Sequence, residues 1–408
     1  MTDCCSTPGV LTLEQALTQI LQTLQQTDRY ERVSLKDSLN RITYEDIKSS
    51  VDVPSFRNSS MDGYAIRTGD QQGHSLKVIG VSWAGKPFTK KVAKGECIRI
   101  FTGAYVPDDC DCVVMQENVH RTGEQIQITQ QPKHGENIRN IGDDTKKNQA
   151  ILNKGKLLKP ADIGLLAACG IADISVFKQL TVGFFSTGDE LISIGQQAQL
   201  GQIFDSNRYT LQALLEQAGV TPIDLGVIPD NRLAVEEALV SASKNCDLII
   251  TTGGVSVGEA DFIAEVLAKI GTVNLWKIAI KPGKPLVFGT IGEAAFFGLP
   301  GNPVSVMVTF QQIVLPALHK IMGRAPQTSV NLQAKTTEII KKQPGRTEFQ
   351  RGFVENKDGE LLVHSTGGQG SHMLSSMSKA NCLIVLEQSA SDIEKGQYVT
   401  IQLLENTL

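Results

Sequence analysis

The sequence has little of what marks nucleic-acid-binding, membrane or secreted proteins. Aromatic residues make up 5% of its 408 residues, and the net charge is −4 with an isoelectric point near 5.9. No basic stripe with interleaved aromatic residues is present, which argues against a nucleic-acid partner. No apolar run approaches the ~20 residues that a membrane span needs, and the first ten residues do not resemble a signal peptide. We therefore expect a cytoplasmic protein that binds neither membrane nor nucleic acid.

Cysteine and histidine are also sparse and badly spaced for metal binding. The eight cysteines form no C-x-x-C pair, and the six histidines show no metal-ligand spacing. This argues against a zinc site, and no Ser-His-Asp or Cys-His nucleophile is indicated. Four cysteines lie in apolar surroundings and are predicted to be small core residues in a reducing compartment. These are Cys97, Cys169, Cys246 and Cys382.

A chain of this length is too long for one ordinary domain, so two to four domains are expected. Leu13, Leu17 and Ile20 mark one face of an amphipathic helix, with Thr12 as its N-cap. Short β-runs separated by turn residues then predict an all-β domain, which we interpret as an insertion into the first domain. The predicted domains are an extended N-terminal support (8–50 and 145–178), the inserted β domain (51–144), an α/β domain (179–326) and a C-terminal β-barrel or sandwich (327–408).

The stretch Thr251–Asp261 organises the α/β domain. It follows a short apolar strand and precedes a helical run, 262–270, that Gly271 ends. Ligands of open α/β sheets bind at such a strand end, where the helix N-terminus favours anions. Its glycine spacing imitates a phosphate-binding P-loop, but Glu259 stands where the loop lysine belongs. A glycine-rich turn with Asp261 as a helix N-cap explains the stretch equally well.

Charged residues follow several predicted strands of the same domain. Alternating strands and helices predict a parallel, doubly wound sheet, which places Glu190, Asp230 and Asp261 on one rim together with a lysine- and proline-rich loop. The three carboxylates are candidate Mg²⁺ ligands. Lys277, Lys281 and Lys284 supply positive charge for an anion. Cleavage of a phosphoanhydride with Mg²⁺ fits this combination, although single loops of this kind are more often ordinary turns.

Five motifs in order along the chain carry a resemblance to one enzyme family. They are Asn58–Ala65 (NSSMDGYA), Phe184–Leu191 (FFSTGDEL), Thr252–Asp261 (TGGVSVGEAD), Ile280–Pro285 (IKPGKP) and Gly298–Ser305 (GLPGNPVS). Together they resemble the molybdopterin molybdenumtransferases, the MoeA-type enzymes related to the gephyrin E domain. The resemblance implies a molybdopterin-binding α/β domain, and a homodimer of elongated, four-domain subunits. It implies that adenylyl-molybdopterin and molybdate give molybdenum cofactor and AMP, assisted by Mg²⁺.

The resemblance also implies a site shared between two protomers. In the β domain the implied catalytic residues are Asp62, Thr102 and Asp144, with Arg139 binding substrate. In the α/β domain they are Glu190, Asp230, Asp261, Lys277 and Lys281, of which the three acids are the implied metal ligands. Further substrate-binding residues are Gly253, Gly254, Ser256, Lys284, Pro300, Pro303, Arg351 and Ser371, and the last two are expected near molybdate with Lys281 and Pro300.

Two other functions fit part of the resemblance. A molybdopterin adenylyltransferase shares the α/β domain and its glycine loop but is usually that domain alone, so the two β domains argue against it. A gephyrin-like scaffold depends on further domains and a linker. A non-catalytic binding protein is expected to lose Asp62 or Asp261, and both are present. Other proteins of molybdenum cofactor biosynthesis are possible partners.

Overall fold

A computed structural model describes residues 10–70, 75–254, 262–326 and 331–404. Residues 31–176 form one unit, which we call the insert unit. The segments before and after it, up to residue 30 and from 177 onward, form a second unit, which we call the main unit. Ser256, Glu259 and Asp261, which the sequence analysis singled out, lie outside the described residues.

The N-terminal segment of the main unit contains strand β1 (Val10–Leu11) and helix α1 (Leu13–Thr23). Thr12 begins the helix through a capping box, because its Oγ1 accepts from the Gln15 N–H at 3.1 Å and its own N–H donates to Gln15 Oε1 at 3.0 Å. Ala16 and Ile20 form the buried face. The predicted helix and its N-cap are confirmed.

The insert unit is built mostly from short strands. They are β2 (Tyr30–Ser34), β3 (Ile47–Lys48), β4 (Asn58–Ser59), β5 (Gly63–Ile66), β6 (Leu76–Ser82), β7 (Glu96–Ile100), β8 (Cys112–Met115), β9 (Val119–Thr122), β10 (Gln125–Ile128), β11 (Ile138–Arg139), β12 (Ala150–Leu152) and β13 (Asp173–Phe177). Helix α2 (Pro160–Ala168) is its one α-helix within the described residues, beside short 3-10 turns at Leu35–Asp37 and Gln116–Asn118. A six-stranded sheet runs in the order β8-β5-β7-β6-β10-β9.

This sheet is buried on both faces, since neighbouring residues of one strand enter different cores. Ala65 packs with Ile98 and Val113 on one side, whereas Tyr64 packs with Cys97 on the other. A separate core in the insert unit joins residues 33–47 with residues 151–176. The insert unit therefore has the all-β part that the sequence predicted, and a second cluster beside it. The proposed boundaries at 50 and 145 stay predictions.

The main unit continues after residue 177 with alternating strands and helices. Its strands up to residue 300 are β14 (Thr181–Thr187), β15 (Leu191–Ile192), β16 (Ile203–Phe204), β17 (Thr221–Ile228), β18 (Leu248–Thr252), β19 (Thr272–Ile278), β20 (Ile280–Lys281), β21 (Pro285–Ile291) and β22 (Ala294–Leu299). Its helices up to residue 322 are α3 (Ser206–Gln217), α4 (Arg232–Ser243), α5 (Phe262–Ile270), α6 (Pro303–Thr309) and α7 (Leu315–Ile321), with a π-helical turn at Phe310–Val314 joining the last two. Asp205 is the N-cap of α3, because its carboxylate accepts from the Arg208 N–H.

Seven strands form the central sheet in the order β1-β19-β21-β22-β18-β14-β17. Strands β17, β14, β18 and β22 are mutually parallel, but β21 is antiparallel to both of its neighbours. The sequence analysis predicted a parallel sheet, and that detail is wrong. Two residues join β21 to β22 and a short loop joins β19 to β21, and neither connection is long enough for a parallel crossover.

The C-terminal part of the main unit is a closed β-barrel. It contains β23 (Leu332–Thr336), β24 (Thr347–Lys357), β25 (Glu360–Ser365), helix α8 (Leu374–Ser378), β26 (Cys382–Leu386) and β27 (Tyr398–Leu403). The order β24-β25-β23-β27-β26 closes because β24 also pairs with β26. Strand β20 adds to the outside of this barrel, along the first residues of β24. Of the two expected architectures, barrel and sandwich, the barrel is confirmed.

The described cysteines and the helix Pro303–Ile321 both lie mostly in the interior of the fold. Six cysteines in the described residues are free and buried, among them all four that were predicted to be core residues. The helix Pro303–Ile321 spans 19 residues with a mean hydropathy of 1.3, enough by length and composition to cross a membrane. Because 61% of it is buried inside the fold, it also fits the core helix of a globular domain, which passes the same test.

Two glycine substitutions test the packing of the central sheet. A Cβ on Gly289 meets the carbonyl oxygen of Thr272 at 2.0 Å on the neighbouring strand, and backbone cannot move aside cheaply. We expect Gly289→Ala to lower the free energy of unfolding by about 1–3 kcal/mol. Gly164→Ala is the control, because Gly164 lies inside α2 with nothing within 4 Å, and it should raise stability by about 0.4–1 kcal/mol. Urea unfolding of both variants gives the measurement, and a neutral Gly289→Ala contradicts the strand pairing.

Candidate active site

The switch point of the central sheet lies between β14 and β18. From β14 the chain passes through α3 to β17 on one side, and then through α4 to β18 on the other side. Ser186 and Thr252, at the carboxyl ends of these two strands, share a hydrogen bond of 3.0 Å between buried hydroxyls. In open α/β sheets the crevice outside such a switch point is where ligands bind.

Two glycines follow β18 at this edge and need to be glycine. Gly253 and Gly254 have φ values of +86° and +62°, in the left-handed region that side chains disfavour. A Cβ on Gly253 meets the carbonyl oxygen of Thr187 at 2.5 Å, and one on Gly254 meets Ile263 Cδ1 at 2.7 Å. The tight turn therefore exposes backbone to a ligand without a side chain in between. The neighbouring Ser256 was also predicted here, but it lies outside the described residues.

A cavity of about 580 Å³ opens at the same edge, between the central sheet and the C-terminal barrel. Its lining combines the loops after β18, β19 and β22 with two barrel loops. The lining residues are Gly253, Gly254, Lys281, Pro282, Gly283, Lys284, Pro285, Pro300, Gly301, Asn302, Ser305, Arg346, Gln369, Gly370 and Ser371. Six residues predicted from the sequence are among them, namely Gly253, Gly254, Lys281, Lys284, Pro300 and Ser371. The cavity is thus walled by small residues and cations.

Two other predicted residues of this region lie near the cavity but not in its wall. Pro303 is the first residue of α6, directly after the lining residue Asn302. Lys277 is exposed on β19, where it pairs with Pro285 at the end of the lysine loop. Direct binding of substrate by either residue stays a prediction.

Lys281 forms an ion pair with the buried carboxylate of Glu348. Its Nζ lies 3.2 Å from Glu348 Oε1, and the Glu348 side chain is 4% exposed while that of Lys281 is 46% exposed. Gln350 Nε2 donates to the other Glu348 oxygen at 3.1 Å and to the Lys341 carbonyl at 2.8 Å. The lysine is therefore anchored on one side and presents its remaining N–H donors to the cavity.

Arg351 supports the cavity rather than lining it. The residue is 1% exposed, and its Nη2 donates to the carbonyls of Gly368 and Gly370 at 3.1 and 2.9 Å, while Nε donates to Ser376 Oγ at 3.1 Å. Burial lowers the pKa of its guanidinium. These hydrogen bonds fix the 368–371 loop, and Arg351 thereby positions Ser371 in the cavity wall. Direct contact between Arg351 and molybdate, as the resemblance implies, stays a prediction.

Acidic residues gather at the other end of the same sheet edge. Burial raises the pKa of Asp230, and repulsion from Asp189 and Glu190 raises it further. The Asp230 N–H donates to Asp189 Oδ1 at 3.5 Å. Three carboxylates that repel one another have the hard oxygen donors that a divalent cation uses. Within the described residues, however, no three acidic, cysteine or histidine side chains are placed closely enough to hold a metal, and the predicted third ligand Asp261 lies outside them.

The acidic and basic groups are separated along the edge. Asp230 follows β17, whereas the lysine loop ends at the start of β21, four strands away in the sheet order. At about 4.8 Å per strand this is roughly 19 Å. The sequence analysis expected both sets on one rim; Glu190, Asp230 and the lysine loop do lie at that edge, toward opposite ends of it, and Asp261 lies outside the described residues.

The insert unit holds a separate set of predicted residues. Asp62 Oδ1 accepts from the backbone N–H and the hydroxyl of Thr102, both at 2.8 Å. These two hydrogen bonds, and the positive charge of Arg99, lower the pKa of the Asp62 carboxyl. Arg139 is exposed on β11. Asp144 is exposed, and its N–H donates to the Val53 carbonyl at 3.0 Å. Asp62 and Thr102 are brought together, and no hydrogen bond or ion pair joins them to Arg139 or Asp144 within the described part of the insert unit.

Comparisons with known proteins match almost the whole chain. Residues 11–170 match the MoeA N-terminal region (domains I and II), residues 183–320 match a probable molybdopterin-binding domain, and residues 333–404 match the MoeA C-terminal region (domain IV). A molybdopterin molybdenumtransferase from Haemophilus influenzae is 47% identical over 403 residues, which cover 98% of this chain and 100% of that protein. The chain belongs to the molybdopterin molybdenumtransferase family.

Three proteins of lower sequence identity are also similar to this chain over most of its length. A molybdopterin molybdenumtransferase from a Nostoc species is 34% identical, with 97% of this chain and 93% of that protein covered. The crystal structure of a molybdopterin biosynthesis MoeA protein from Pyrococcus horikoshii superposes with a TM-score of 0.84 at 32% identity, covering 97% and 100% of the two chains. Gephyrin from Dictyostelium discoideum is 36% identical, and the match spans 59% of that longer protein.

Three residues at or near this sheet edge were not predicted from the sequence. Arg346 adds a cation beside Lys281 and Lys284, Glu348 anchors Lys281, and Asp189 joins the acidic group. Asp189 lies within the motif Phe184–Leu191, but no role was predicted for it. No role was predicted for Glu348 either, because only the parallel pairing of β20 with β24 brings it to Lys281.

Thr102 provides a direct test of the charge state of Asp62. Thr102→Val removes the hydroxyl donor and leaves the backbone donor in place, so the pKa of Asp62 should rise toward its ordinary value. Because a lowered pKa keeps the carboxylate ionised to lower pH, the variant should protonate Asp62 at higher pH than the wild-type protein does. Carboxyl carbon NMR titration measures this shift.

Thr68→Val is the matched control for that titration. Thr68 Oγ1 donates to Asp111 Oδ1 at 2.6 Å and lowers the pKa of that carboxyl. This variant should move the titration of Asp111 and leave that of Asp62 unchanged. An Asp62 pKa that is the same in Thr102→Val and wild-type protein contradicts the assigned role of the hydroxyl.

Proposed function

We propose that this protein inserts molybdenum during molybdenum cofactor biosynthesis. Adenylyl-molybdopterin and molybdate are the substrates, and molybdenum cofactor and AMP are the products. Membership of the family supports this reaction. The observation that carries it in this chain is the cavity lined by Lys281, Lys284 and Arg346 together with the half-buried turn Gly253–Gly254. Both substrates are anions, and the cavity offers three cations with little side-chain bulk.

The cationic end of the sheet edge suits the smaller substrate. Molybdate is a dianion, and charge-assisted hydrogen bonds to lysine and arginine are the strong ones available to it. Lys281 is positioned by Glu348, and Ser371 adds a hydroxyl from the loop that Arg351 holds. We infer that molybdate binds between Lys281 and Ser371.

The glycine turn and the acidic end suit the larger substrate. Gly253 and Gly254 let a phosphate or a ring approach the backbone closely, since neither carries a side chain. An adenylylated pterin is long enough to extend along much of the roughly 19 Å between the two charged ends of the edge. We propose that its dithiolene end meets molybdate near Lys281 and that its phosphates extend toward Asp230.

Magnesium is proposed as the cofactor of this reaction. Glu190 and Asp230 offer oxygen ligands at the acidic end, with Asp261 proposed as a third ligand from the sequence. When bound, Mg²⁺ neutralises phosphate charge and makes the phosphoanhydride easier to cleave. The protein's own part is to hold the phosphates and the leaving AMP in line, and to keep Asp62 ionised through Thr102.

We further propose a cytoplasmic homodimer whose site is shared between protomers. Asp62, Thr102, Arg139 and Asp144 of one protomer are then paired with the main unit of its partner. One supporting feature is the cluster of exposed apolar side chains between residues 194 and 209, in which Leu200 is fully exposed. Apolar groups concentrated in this way often mark a protein contact. The free buried thiols fit a reducing compartment.

Release of AMP tests the proposed function directly. Purified protein is mixed with adenylyl-molybdopterin, molybdate and Mg²⁺, and AMP is detected by mass spectrometry. The transferase predicts AMP release together with molybdenum bound to the pterin. An adenylyltransferase would instead consume ATP and molybdopterin, and a scaffold would release nothing. Absence of AMP with verified substrates contradicts the proposal.

Lys281→Ala should weaken the use of molybdate more than the binding of nucleotide. Loss of one charge-assisted hydrogen bond costs about 1.5–3 kcal/mol, which corresponds to a rise in the KM for molybdate of roughly 10- to 100-fold. Raised molybdate should therefore restore AMP release. Lys357→Ala is the control, because Lys357 is exposed at the far end of β24 and should leave KM unchanged.

The substitution at Lys281 also leaves Glu348 buried without its cation. The double variant Lys281→Ala/Glu348→Gln removes that unpaired charge and separates misfolding from lost binding. If the double variant melts like the wild-type protein and still needs high molybdate, Lys281 binds the substrate. No rescue in either variant assigns Lys281 to adenylyl-molybdopterin or to folding.

Mixed dimers test the shared site. Asp62→Ala and Asp230→Ala change different units of the chain, and each should inactivate the homodimer. After subunit exchange, mixed dimers carry one intact site of the two, so part of the activity should return. Exchange is verified with two affinity tags of different size. Verified exchange without any activity contradicts a site built from two protomers.

A further inference from the structure

An exposed tryptophan stands beside Asp62 and Thr102 in the insert unit. Trp83 is 51% exposed, and it is one of only two tryptophans in the chain. Its ring stacks on Phe101 with centroids 4.1 Å apart and an interplanar angle of 10°. Phe101 directly precedes Thr102, the residue that holds Asp62. A flat ring therefore lies next to the predicted catalytic acid.

The turn that carries Trp83 is fixed by hydrogen bonds. Trp83 and Lys86 donate their backbone N–H groups to each other's carbonyls at 3.1 and 3.0 Å, and Gly85 between them has a φ of +76°. Before the turn, Ser82 Oγ donates to the Tyr105 carbonyl at 2.9 Å. Because the turn and the stack already restrain the ring, a ligand that stacks on Trp83 has little side-chain entropy left to remove.

A column of π-systems and one cation supports the ring. Arg99 Cζ lies 4.7 Å from the centroid of Phe101 and 5.2 Å from that of Tyr64. Arg99 Nη1 donates to the Gly63 carbonyl at 3.1 Å, one residue after Asp62. Trp83 is the most exposed ring of this column, and Tyr64 is its buried end at 5% exposure.

The charges around the turn favour an anionic ligand that carries a ring. Four of the nine residues from 86 to 94 are lysines, and all four are exposed. They are Lys86, Lys90, Lys91 and Lys94. Aromatic platforms next to cations are the arrangement that binds bases attached to phosphates, since the ring stacks and the cations meet the phosphate charge.

We propose that Trp83 is a stacking site for a planar nitrogen heterocycle of the adenylylated substrate. The proposal rests on the proposed function, because it takes its ligand from that reaction. Adenine and pterin share the required chemistry, a flat aromatic heterocycle carried on a molecule that also bears phosphate. Stacking on Trp83 places that ring beside Asp62 and sets how tightly the adenylylated substrate binds.

Fluorine NMR of Trp83 tests the proposal. In a Trp276→Phe background, Trp83 is the single tryptophan and can be labelled as 5-fluorotryptophan. Trp276 stacks on Phe288 at 5.7 Å, and phenylalanine preserves an aromatic ring there. AMP and a soluble pterin are titrated separately. A saturable shift of the fluorine signal with AMP assigns adenine to Trp83, and a shift with the pterin alone assigns the pterin.

Binding constants provide the second measurement. Stacking on an aromatic side chain contributes about 1–3 kcal/mol per base, so Trp83→Leu should raise the Kd of the shifting ligand by roughly 5- to 100-fold. Trp83→Phe retains a ring and should stay within about threefold. Thermal unfolding of both variants checks folding, and Trp83→Phe keeps the test valid if Trp83→Leu unfolds.

Two results overturn the proposal. If calorimetry detects binding of AMP or the pterin while the fluorine signal of Trp83 stays unchanged, Trp83 merely covers Phe101. If the signal shifts with protein concentration and not with ligand, Trp83 packs against a second copy of the chain. AMP release by the Trp276→Phe protein is measured alongside. If AMP release is normal and the fluorine signal of Trp83 does not respond to ligand, only the stacking proposal fails. If the wild-type protein releases no AMP, the proposed function fails.

Discussion

The candidate site depends on one short segment that is hydrogen-bonded to two β-structures at once. Residues 278–285 begin at the last residue of β19 and end at the first residue of β21, both in the central sheet, and the Ala279 N–H donates to the Leu11 carbonyl of β1 at 2.8 Å. The same segment pairs with the barrel through β20 and β24, and the Thr347 N–H donates to the Ala279 carbonyl at 2.8 Å. Lys281 and Lys284 therefore cannot move independently of either body. The cavity exists because this segment ties the barrel to the sheet edge.

The hydrogen bonds of Glu348 and Arg351 also fix the position of loops around the cavity. An uncompensated charge in a protein interior is expensive, and a buried pair is stable only when its remaining donors and acceptors are satisfied. Glu348 meets that condition through Lys281 and Gln350. Arg351 meets it through two carbonyls and a hydroxyl. Such fully bonded groups gain little net stability over apolar ones, so their value lies in fixing the loops that they touch.

The sequence predicted local structure well where the signal was local. Thr12 acts as the predicted helix cap, and the helix Phe262–Ile270 has the predicted bounds. Each of these depends on neighbours within a few residues. The glycine turn was also predictable, because glycine adopts positive φ values such as those of Gly253 and Gly254 without a steric cost.

Prediction was poorer where distant residues decide the outcome. The burial of Arg351 beneath the 368–371 loop could not be predicted from its neighbours along the chain, because it depends on the pairing of β24 in the barrel. Glu348 and Asp189 were missed because their partners are 67 residues away from Glu348 and 41 residues away from Asp189 along the chain. Trp83 was not singled out, since its stacking on Phe101 depends on two adjacent strands. Pattern reasoning identifies which residues end a strand, and it does not identify which side chains meet there.

The antiparallel strand β21 explains why the lysine loop still reached the predicted edge. Strand β19 is antiparallel to β21, and β21 is antiparallel to β22, so β19 runs parallel to β22. The carboxyl end of β19 therefore lies at the same edge as those of β22, β18 and β14. The loop leaving β19 starts at that edge and returns to it, because β21 begins where β19 ends. A parallel β21 would require the chain to cross the sheet, which the residues between Ile278 and Pro285 cannot do. The short loop thus fixes both the reversal of β21 and the position of Lys281.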